Sequence, residues 1–183
     1  MTAVSDRYDK LAGQMSDRIA AVPADAWDNP TPCDDWTARD LLGHVLDTPS
    51  IFYSMAEVEP PPPGPDRTAD PHGAFEHIRA AVNASLADPA VAEKEFDGMM
   101  GRRSFEDAID TFICADLVVH QWDLARATGQ DESLDDDEVA KVHAALLPAD
   151  EMMRGPGAFG PKIDPGPDAD GQTQLLSFLG RQV

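Results

Sequence analysis

An aspartate and a histidine four residues apart, Asp116 and His120, are the pair in this sequence best suited to chemistry. On a helix, side chains at positions i and i+4 lie on one face, so this carboxylate and imidazole can bind the same metal ion. At about 100° per residue, both residues and Asp123 fall on one stripe whose other members are apolar: Phe105, Ile109, Phe112 and Ala127. Ionisable side chains on a core-facing stripe are costly to bury without a partner. The pattern therefore indicates that these residues bind something.

A third candidate ligand is His44, which lies on the flank of the apolar face of an earlier helix. Two histidines and one carboxylate leave coordination positions open, a donor set that suits catalytic Zn²⁺ and also Fe²⁺ or Ni²⁺. We therefore predict a metal site formed by His44, Asp116 and His120. The residues alone leave simpler roles open: a core or boundary histidine at His44, and an i, i+4 hydrogen-bonded pair at Asp116 and His120. Asp123 is expected to support a ligating ring from behind, with a structural role near the helix end as the alternative.

The other cysteines and histidines are expected to pack rather than to react. Cys33 lies in a proline-rich loop, and because no neighbouring cation is evident, a small buried loop residue is favoured over a nucleophile. Cys114 projects off the ligand stripe, so packing is its expected role. Surface or packing roles are also expected for the remaining histidines: His72, His77 and His143.

Composition restricts the class of protein and its partners. The 183 residues, 42% of them hydrophobic, suffice for one domain, which we expect to span residues 1–183. The formal charge of −20 repels nucleic acid and anionic lipid, so neither is an expected partner. The chain has neither an apolar run of about 18 residues nor the apolar segment of a signal peptide. We therefore expect a cytoplasmic protein, with a homodimer left open by any exposed helix face.

Apolar residues recur every three or four positions along most of the chain, which predicts an all-α fold. The first helix is expected over about residues 4–22. The second should run from Ala38 to about Ala56, with Thr37 and Asp40 as a capping box and a kink or break near Pro49. The proline-rich stretch 59–65 is expected to form a stiff linker.

The second half of the chain continues the helical pattern. A third helix is expected over about 70–87, a turn over 97–103, and a fourth helix over 105–128 between a Ser104 cap and Gly129. Acidic residues at 135–138 predict the start of a shorter fifth helix. No strand is convincing. The predicted architecture is a bundle of four principal helices with a C-terminal capping segment, which includes an apolar stretch at 175–181.

Two stretches of this sequence resemble the signatures of a known group of proteins. They are Thr31-Pro32-Cys33-Asp34-Asp35-Trp36-Thr37-Ala38-Arg39-Asp40-Leu41-Leu42-Gly43-His44-Val45 and Asp116-Leu117-Val118-Val119-His120-Gln121-Trp122-Asp123-Leu124-Ala125-Arg126-Ala127-Thr128-Gly129. Both are similar to stretches of actinobacterial DinB-like proteins, and more narrowly of the metal-binding N-terminal domain of mycothiol-dependent maleylpyruvate isomerase and its single-domain relatives. The closing Phe159-Gly160-Pro161-Lys162-Ile163 and Leu179-Gly180-Arg181 resemble the tail of those relatives.

The resemblance implies a DinB-like four-helix bundle with a divalent metal, usually zinc, held by His44, Asp116 and His120. The isomerase has Glu where this chain has the shorter Asp116. The resemblance also implies mycothiol as a thiol cosubstrate, because a metal with an open position makes a thiol more acidic and hence nucleophilic. Our leading hypothesis is a metal-dependent S-transferase that acts on a small-molecule thiol and an electrophile. The alternatives are a non-enzymatic metal-binding or stress-associated module and a plain helical scaffold without metal.

Overall fold

Helices dominate the computed structural model, which describes residues 2–98, 101–154 and 159–183. The helices are α1 (Ala3–Ala20), α2 (Ala38–Met55), α3 (Pro71–Ala87), α4 (Pro89–Ala92), α5 (Phe105–Ala108), α6 (Cys114–Thr128), α7 (Asp136–Leu146), α8 (Asp150–Met153) and α9 (Gly171–Phe178). A π-helical turn at Ile109–Ile113 joins α5 to α6, and a 3₁₀ turn at Leu147–Ala149 joins α7 to α8. Two short strands are β1 (Glu95–Gly98) and β2 (Gly101–Ser104).

Side-chain caps fix the ends of the long helices where the sequence predicts them. Thr37 and Asp40 form the capping box that begins α2, and this end matters because α2 carries His44. The Ser104 hydroxyl accepts from the Asp107 amide at the start of α5. Gly129 ends α6 in the left-handed conformation, with φ 71°, where a side chain would add strain.

Four long helices surround the core. α1 packs against α3 and α6, and α2 packs against the same two helices. The interior between them is filled by fully buried apolar side chains: Leu11, Met15, Leu41, Val82 and Phe105. The all-α class is therefore confirmed, and α2 and α6, the helices that carry the candidate ligands, are direct neighbours.

The stretch predicted as a turn without strands is instead part of a hairpin. β1 and β2 pair antiparallel, from Glu95 opposite Ser104 to Gly98 opposite Gly101. Met99 and Met100, the centre of the predicted turn, lie outside the described residues. Each strand has four residues, too few for an alternating pattern to stand out.

The π-turn corrects the prediction of one regular helix over 105–128. The Cys114 amide bonds to the carbonyl of Ile109, five residues back, so the wider turn absorbs about one additional residue. After this turn the fully buried face passes from Ile109 to Cys114 and Leu117. Asp116 is consequently moved from the centre of the apolar stripe to its flank, where its side chain is 23% exposed.

Arg7 on α1 holds the π-turn in place. Its Nη1 donates to the Asp110 carbonyl oxygen at 2.6 Å and to the Asp110 carboxylate at 2.8 Å. Its Nη2 lies 2.7 Å from Glu138 on α7, and Lys141 lies 3.1 Å from the same Asp110 carboxylate. Because the Arg7 side chain is only 9% exposed, this cluster ties α1, the π-turn and α7 together.

α2 continues through Pro49 without the break that the sequence predicts there. A proline inside a helix removes one backbone hydrogen bond. The carbonyl that loses its amide partner is that of Val45; next to it, the Thr48 hydroxyl donates to the His44 carbonyl oxygen at 2.8 Å, and Arg67 donates to the Gly43 carbonyl oxygen at 3.3 Å. These side chains supply additional donors around the position of the proline.

The proline-rich connection and the C-terminal segment lie on the outside of the four helices. The connection between α2 and α3 has no regular secondary structure over residues 58–64, and the His77 ring contacts the Pro62 carbonyl oxygen at 2.7 Å. At the other end of the chain, α9 packs against α7. Within the described ranges, no helix has the length and apolar character needed to cross a membrane.

We expect Asp110→Asn to destabilise the protein by about 2 kcal/mol at pH 7, because a hydrogen-bonded charge partner of buried Arg7 is lost. Burial alone would raise the pKa of Asp110, but Arg7 and Lys141 outweigh it and lower that pKa below its ordinary 3.8. The stabilisation is therefore present above about pH 4 and is lost as the pH falls through the folded-state pKa. Urea denaturation at pH 7 and pH 3 measures both effects.

The control is Asp17→Asn, because Asp17 is exposed on α1. This variant should unfold like the unaltered protein. Equal stability loss for Asp110→Asn at the two pH values would contradict the assigned role of the carboxylate.

Candidate metal centre

Three donor atoms converge between α2 and α6. The Asp116 carboxylate oxygen Oδ1 lies 3.1 Å from His44 Nε2 and 3.2 Å from His120 Nε2. All three donors lie within 4.8 Å of one another. The His44 and Asp116 side chains are 30% and 23% exposed, whereas His120 is 8% exposed. The structure thus brings together the three residues that the sequence predicts, with an open side at His44 and Asp116.

The carboxylates of this group favour a positive charge at His120. Burial opposes ionisation of Asp116, but the two imidazoles outweigh burial and hold its pKa well below the ordinary value. Burial likewise disfavours the charged form of His120, but Asp116 and Asp123 raise the pKa of His120 well above 6.5. Without another cation, the carboxylates therefore hold a proton on His120. Since a ligating imidazole must be neutral, a metal ion would displace that proton.

Asp123 lies directly behind His120. Its Oδ2 is 2.9 Å from His120 Nδ1, and its side chain is fully buried. A carboxylate that accepts from Nδ1–H fixes the ring orientation and leaves Nε2 free to act as a ligand. This geometry matches the supporting role expected for Asp123.

Arg181, close to the C-terminal end, completes the inner side of the group. Its Nη2 lies 3.0 Å from Asp123 Oδ2 and 3.2 Å from Cys33 Sγ, and the Cys33 thiol donates to Asp123 Oδ2 at 3.4 Å. The expectation that Cys33 has no neighbouring cation is therefore wrong. Arg181 is 148 residues away from Cys33 in sequence. The only sequence feature that pointed to this segment is the similarity of Leu179-Gly180-Arg181 to the tail of the single-domain relatives.

Gly180 allows the chain to deliver Arg181 to this position. Its φ is +89°, and a Cβ at Gly180 would lie 2.8 Å from backbone atoms of Gly160. Both the backbone conformation and the close approach require glycine. The chain then turns back, and the Arg181 amide bonds to the Leu176 carbonyl oxygen at 2.8 Å.

The loop before α2 forms a second wall of the site. The Thr31 amide and hydroxyl both donate to the Trp36 carbonyl oxygen, at 2.8 and 3.0 Å, so the loop closes on itself. Its Trp36 ring centroid lies 4.9 Å from that of His44 and 6.1 Å from that of His120. One short loop therefore places Cys33 beside Asp123 and Trp36 beside both imidazoles.

The remaining histidines and Cys114 take the packing or surface roles expected of them. His72 contacts the Ser16 hydroxyl at 3.0 Å, His77 contacts the Pro62 carbonyl, and the His143 ring packs 5.3 Å from that of Phe178. Cys114 is fully buried, and burial raises the pKa of its thiol to about 12.

A second group of candidate donors shares His120 with the first. It consists of Cys33, His120 and Asp123. The Arg181 guanidinium already contacts two of its members, so a positive charge occupies their surroundings. A metal cation is therefore favoured at the outer group of His44, Asp116 and His120.

The chain is similar to known proteins over most of its length. Residues 8–125 match the family model of the mycothiol maleylpyruvate isomerase N-terminal domain. Two uncharacterized proteins of Mycobacterium tuberculosis, Rv0738 of strain H37Rv and MT0763 of strain CDC 1551, are each 33% identical over 171 residues, which covers 90% of this chain and 90% of each relative. Among solved structures there is no significant match.

We expect Asp123→Asn to weaken metal binding about 10- to 100-fold, because the buried acceptor that orients His120 becomes neutral. Competition against a chromophoric chelator measures the dissociation constant. Asp107→Asn is the matched control, since Asp107 is exposed on α5 in the same helical run. An unchanged dissociation constant for Asp123→Asn, with helical circular dichroism retained, would sink the supporting role.

We expect Arg181→Met to destabilise the metal-free protein by about 3 kcal/mol, because the fully buried Asp123 carboxylate then loses one of its two cationic partners and keeps only His120. Arg102→Met is the control: Arg102 pairs with Glu95 at 2.7 Å, but its side chain is 67% exposed, so its loss should cost under about 1 kcal/mol. Denaturant titration compares the two. Equal costs would show that Arg181 acts as an ordinary surface arginine.

Proposed function

Since the chain belongs to the family of the mycothiol maleylpyruvate isomerase N-terminal domain, we propose that it is a metal-dependent thiol S-transferase. The observation that carries this proposal is the convergence of His44, Asp116 and His120 on one point with an open side. The thiol we propose is mycothiol, which the name of the matched family contains. The family also supports the DinB-like assignment of the all-α fold.

The residues present fit a divalent ion. Two imidazole nitrogens and one carboxylate oxygen converge. Once an ion displaces the Nε2 proton of His120, Asp123 would hold that imidazole in the ligating tautomer. This donor set suits Zn²⁺ best and also suits Fe²⁺ or Ni²⁺. Asp116 is one methylene shorter than Glu, so the position of the ion depends closely on the distance between α2 and α6.

A divalent ion at this site would lower the pKa of a nearby thiol and favour the nucleophilic thiolate at neutral pH. The charges of the chain support the same outcome. Asp116 contributes one negative charge and the two ligating histidines none, so a divalent ion leaves one net positive charge. Asp123 and Arg181 neutralise each other behind His120. The site therefore favours one additional anion.

The direction of access that we propose follows the exposure of the ligands. His120 and Asp123 are buried, whereas His44 and Asp116 are partly exposed. A thiol would enter from the His44 and Asp116 side, next to the half-buried Trp36 ring. In the transfer itself the thiol sulfur forms a bond to an electrophilic carbon, the S–H proton passes to solvent, and the leaving group departs with its electron pair.

The decisive experiment combines elemental analysis with thiol consumption. Protein purified without an affinity tag should contain about one divalent ion per chain and should consume mycothiol in the presence of an electrophile from a broad panel. His120→Ala should lose the ion and the activity. His77→Ala, whose histidine contacts the Pro62 carbonyl outside the site, should keep both.

Other outcomes select the alternatives. Full metal occupancy without turnover across the panel would favour a non-enzymatic metal-binding module. Background metal content that His120→Ala does not change would favour a plain helical scaffold. Either result would overturn the S-transferase proposal.

A further inference from the structure

The two candidate histidine ligands are held in place in different ways. Behind His120, the buried Asp123 carboxylate lies 2.9 Å from Nδ1. The His44 ring contacts Asp116 through Nε2, and it also touches the Thr48 hydroxyl. That hydroxyl lies 3.3 Å from Nε2 and 3.5 Å from Nδ1, so it sits over the face of the ring. Among the residues that the structure describes, none supplies to His44 the rear acceptor that Asp123 supplies to His120.

The Trp36 ring gives His44 a contact of another kind. The centroids of the two rings are 4.9 Å apart and their planes are inclined by 43°, within the range of distances at which aromatic rings attract each other. The same indole lies 6.1 Å from the His120 ring, and the two imidazoles meet edge to face at 4.9 Å. The three rings therefore form one cluster, in which Trp36 lies closer to His44.

The backbone that carries Trp36 is fixed without help from the imidazoles. Its carbonyl oxygen accepts the two bonds from Thr31, and its amide donates to the Cys33 carbonyl oxygen at 3.2 Å. The preceding residue, Asp35, has a φ of 62°, in the left-handed region that few residues with a side chain adopt. The closed loop therefore presents the indole to His44 from a defined position.

We infer that Trp36 is a positioning residue for His44, whose indole holds the imidazole in the orientation in which Nε2 faces Asp116. Ring packing thus does for His44 what a hydrogen bond from Nδ1 to Asp123 does for His120. An imidazole that is already held in its ligating orientation loses less rotational freedom when an ion binds, so the ion binds more tightly. This inference rests on the metal centre of the proposed function and does not depend on the S-transfer step.

The test measures the dissociation constant for Zn²⁺ by competition against a chromophoric chelator. Trp36→Leu removes the flat ring, and we expect it to raise the dissociation constant about tenfold, the lower end of the range for residues that orient a ligating imidazole. Trp36→Phe keeps a smaller flat ring, so its dissociation constant should rise only about threefold.

Trp27→Leu and Trp27→Phe are the matched controls. Trp27 lies in the same stretch before α2 and is more deeply buried than Trp36, but its ring contacts the Arg39 guanidinium, at 5.8 Å, rather than an imidazole. Loss of the Trp27 indole should cost at least as much stability, so an effect of general loosening would also appear in these variants. Their dissociation constants for Zn²⁺ should not move.

Proton NMR of the Co²⁺-loaded proteins counts the ligating rings, because each coordinated imidazole gives paramagnetically shifted resonances. The unaltered protein and the Trp27 variants should show two coordinated imidazoles. The Nδ1–H resonance of His120 can be recognised by its slow exchange, since its acceptor Asp123 is fully buried. In Trp36→Leu the His120 resonances should persist, whereas those of His44 should broaden.

Each remaining outcome counts against the inference in a distinct way. If the unaltered protein binds neither Zn²⁺ nor Co²⁺, the metal centre of the proposed function fails and the inference fails with it. If it binds both and Trp36→Leu matches it in dissociation constant and resonances, only the inference is overturned. Equal losses of affinity at Trp36 and Trp27 would also overturn it. If the leucine variants lose their helical circular dichroism, the phenylalanine pair decides, and equal dissociation constants within that pair would overturn the inference.

Discussion

A line of ionisable side chains, alternately basic and acidic, is the interaction on which the site depends. From the inner side to the open side of the site, it consists of Arg181, Asp123, His120, Asp116 and His44. Asp123 is fully buried between a guanidinium and an imidazole. Burying the Asp123 carboxylate alone would cost several kcal/mol, so its burial depends on the neighbouring Arg181 and His120. The contacts that allow these side chains to be buried are therefore the same contacts that position the candidate metal ligands.

The alternating line also explains why distant segments meet at one point. α2 brings His44, α6 brings Asp116, His120 and Asp123, and the tail brings Arg181. The loop before α2 adds Cys33 and Trp36. Separate local features hold these segments in place. Among them are the Thr37 capping box, the closed turn at Thr31 and the left-handed conformation of Gly180. The precision of the site comes from the framework rather than from contacts among the ligands alone.

Much of this arrangement was predictable from the sequence because the signals are local. The i, i+4 spacing of Asp116 and His120 and their position among apolar residues required no structure to recognise. Capping residues likewise predicted the starts of α2 and α5. The family model covers residues 8–125, which include all three candidate ligands and Asp123. Local periodicity and short motifs therefore carried both the fold class and the candidate ligands.

The parts that escaped prediction depend on contacts across long sequence distances or on backbone geometry. Arg181 lies in a tail with no periodic pattern, and its contact with Cys33 exists only in the folded chain. The hairpin strands are too short for an alternating pattern. The bond from the Cys114 amide to the Ile109 carbonyl has no side-chain signature, so the π-turn could not be distinguished from an ordinary helix. Pro49 suggested a break because a proline removes one backbone hydrogen bond, yet α2 continues through it.

The π-turn also determines which kind of mutation the site tolerates. In a regular helix each residue advances the rotation by about 100°, so the phase of every later side chain depends on the number of residues before it. The additional residue at Ile109–Ile113 sets the phase at which Asp116 and His120 face α2 while Cys114 faces the core. A substitution in this segment changes packing locally, whereas a one-residue deletion would rotate every ligand on α6 together. The orientation of the candidate ligands therefore depends on the length of this segment more than on its composition.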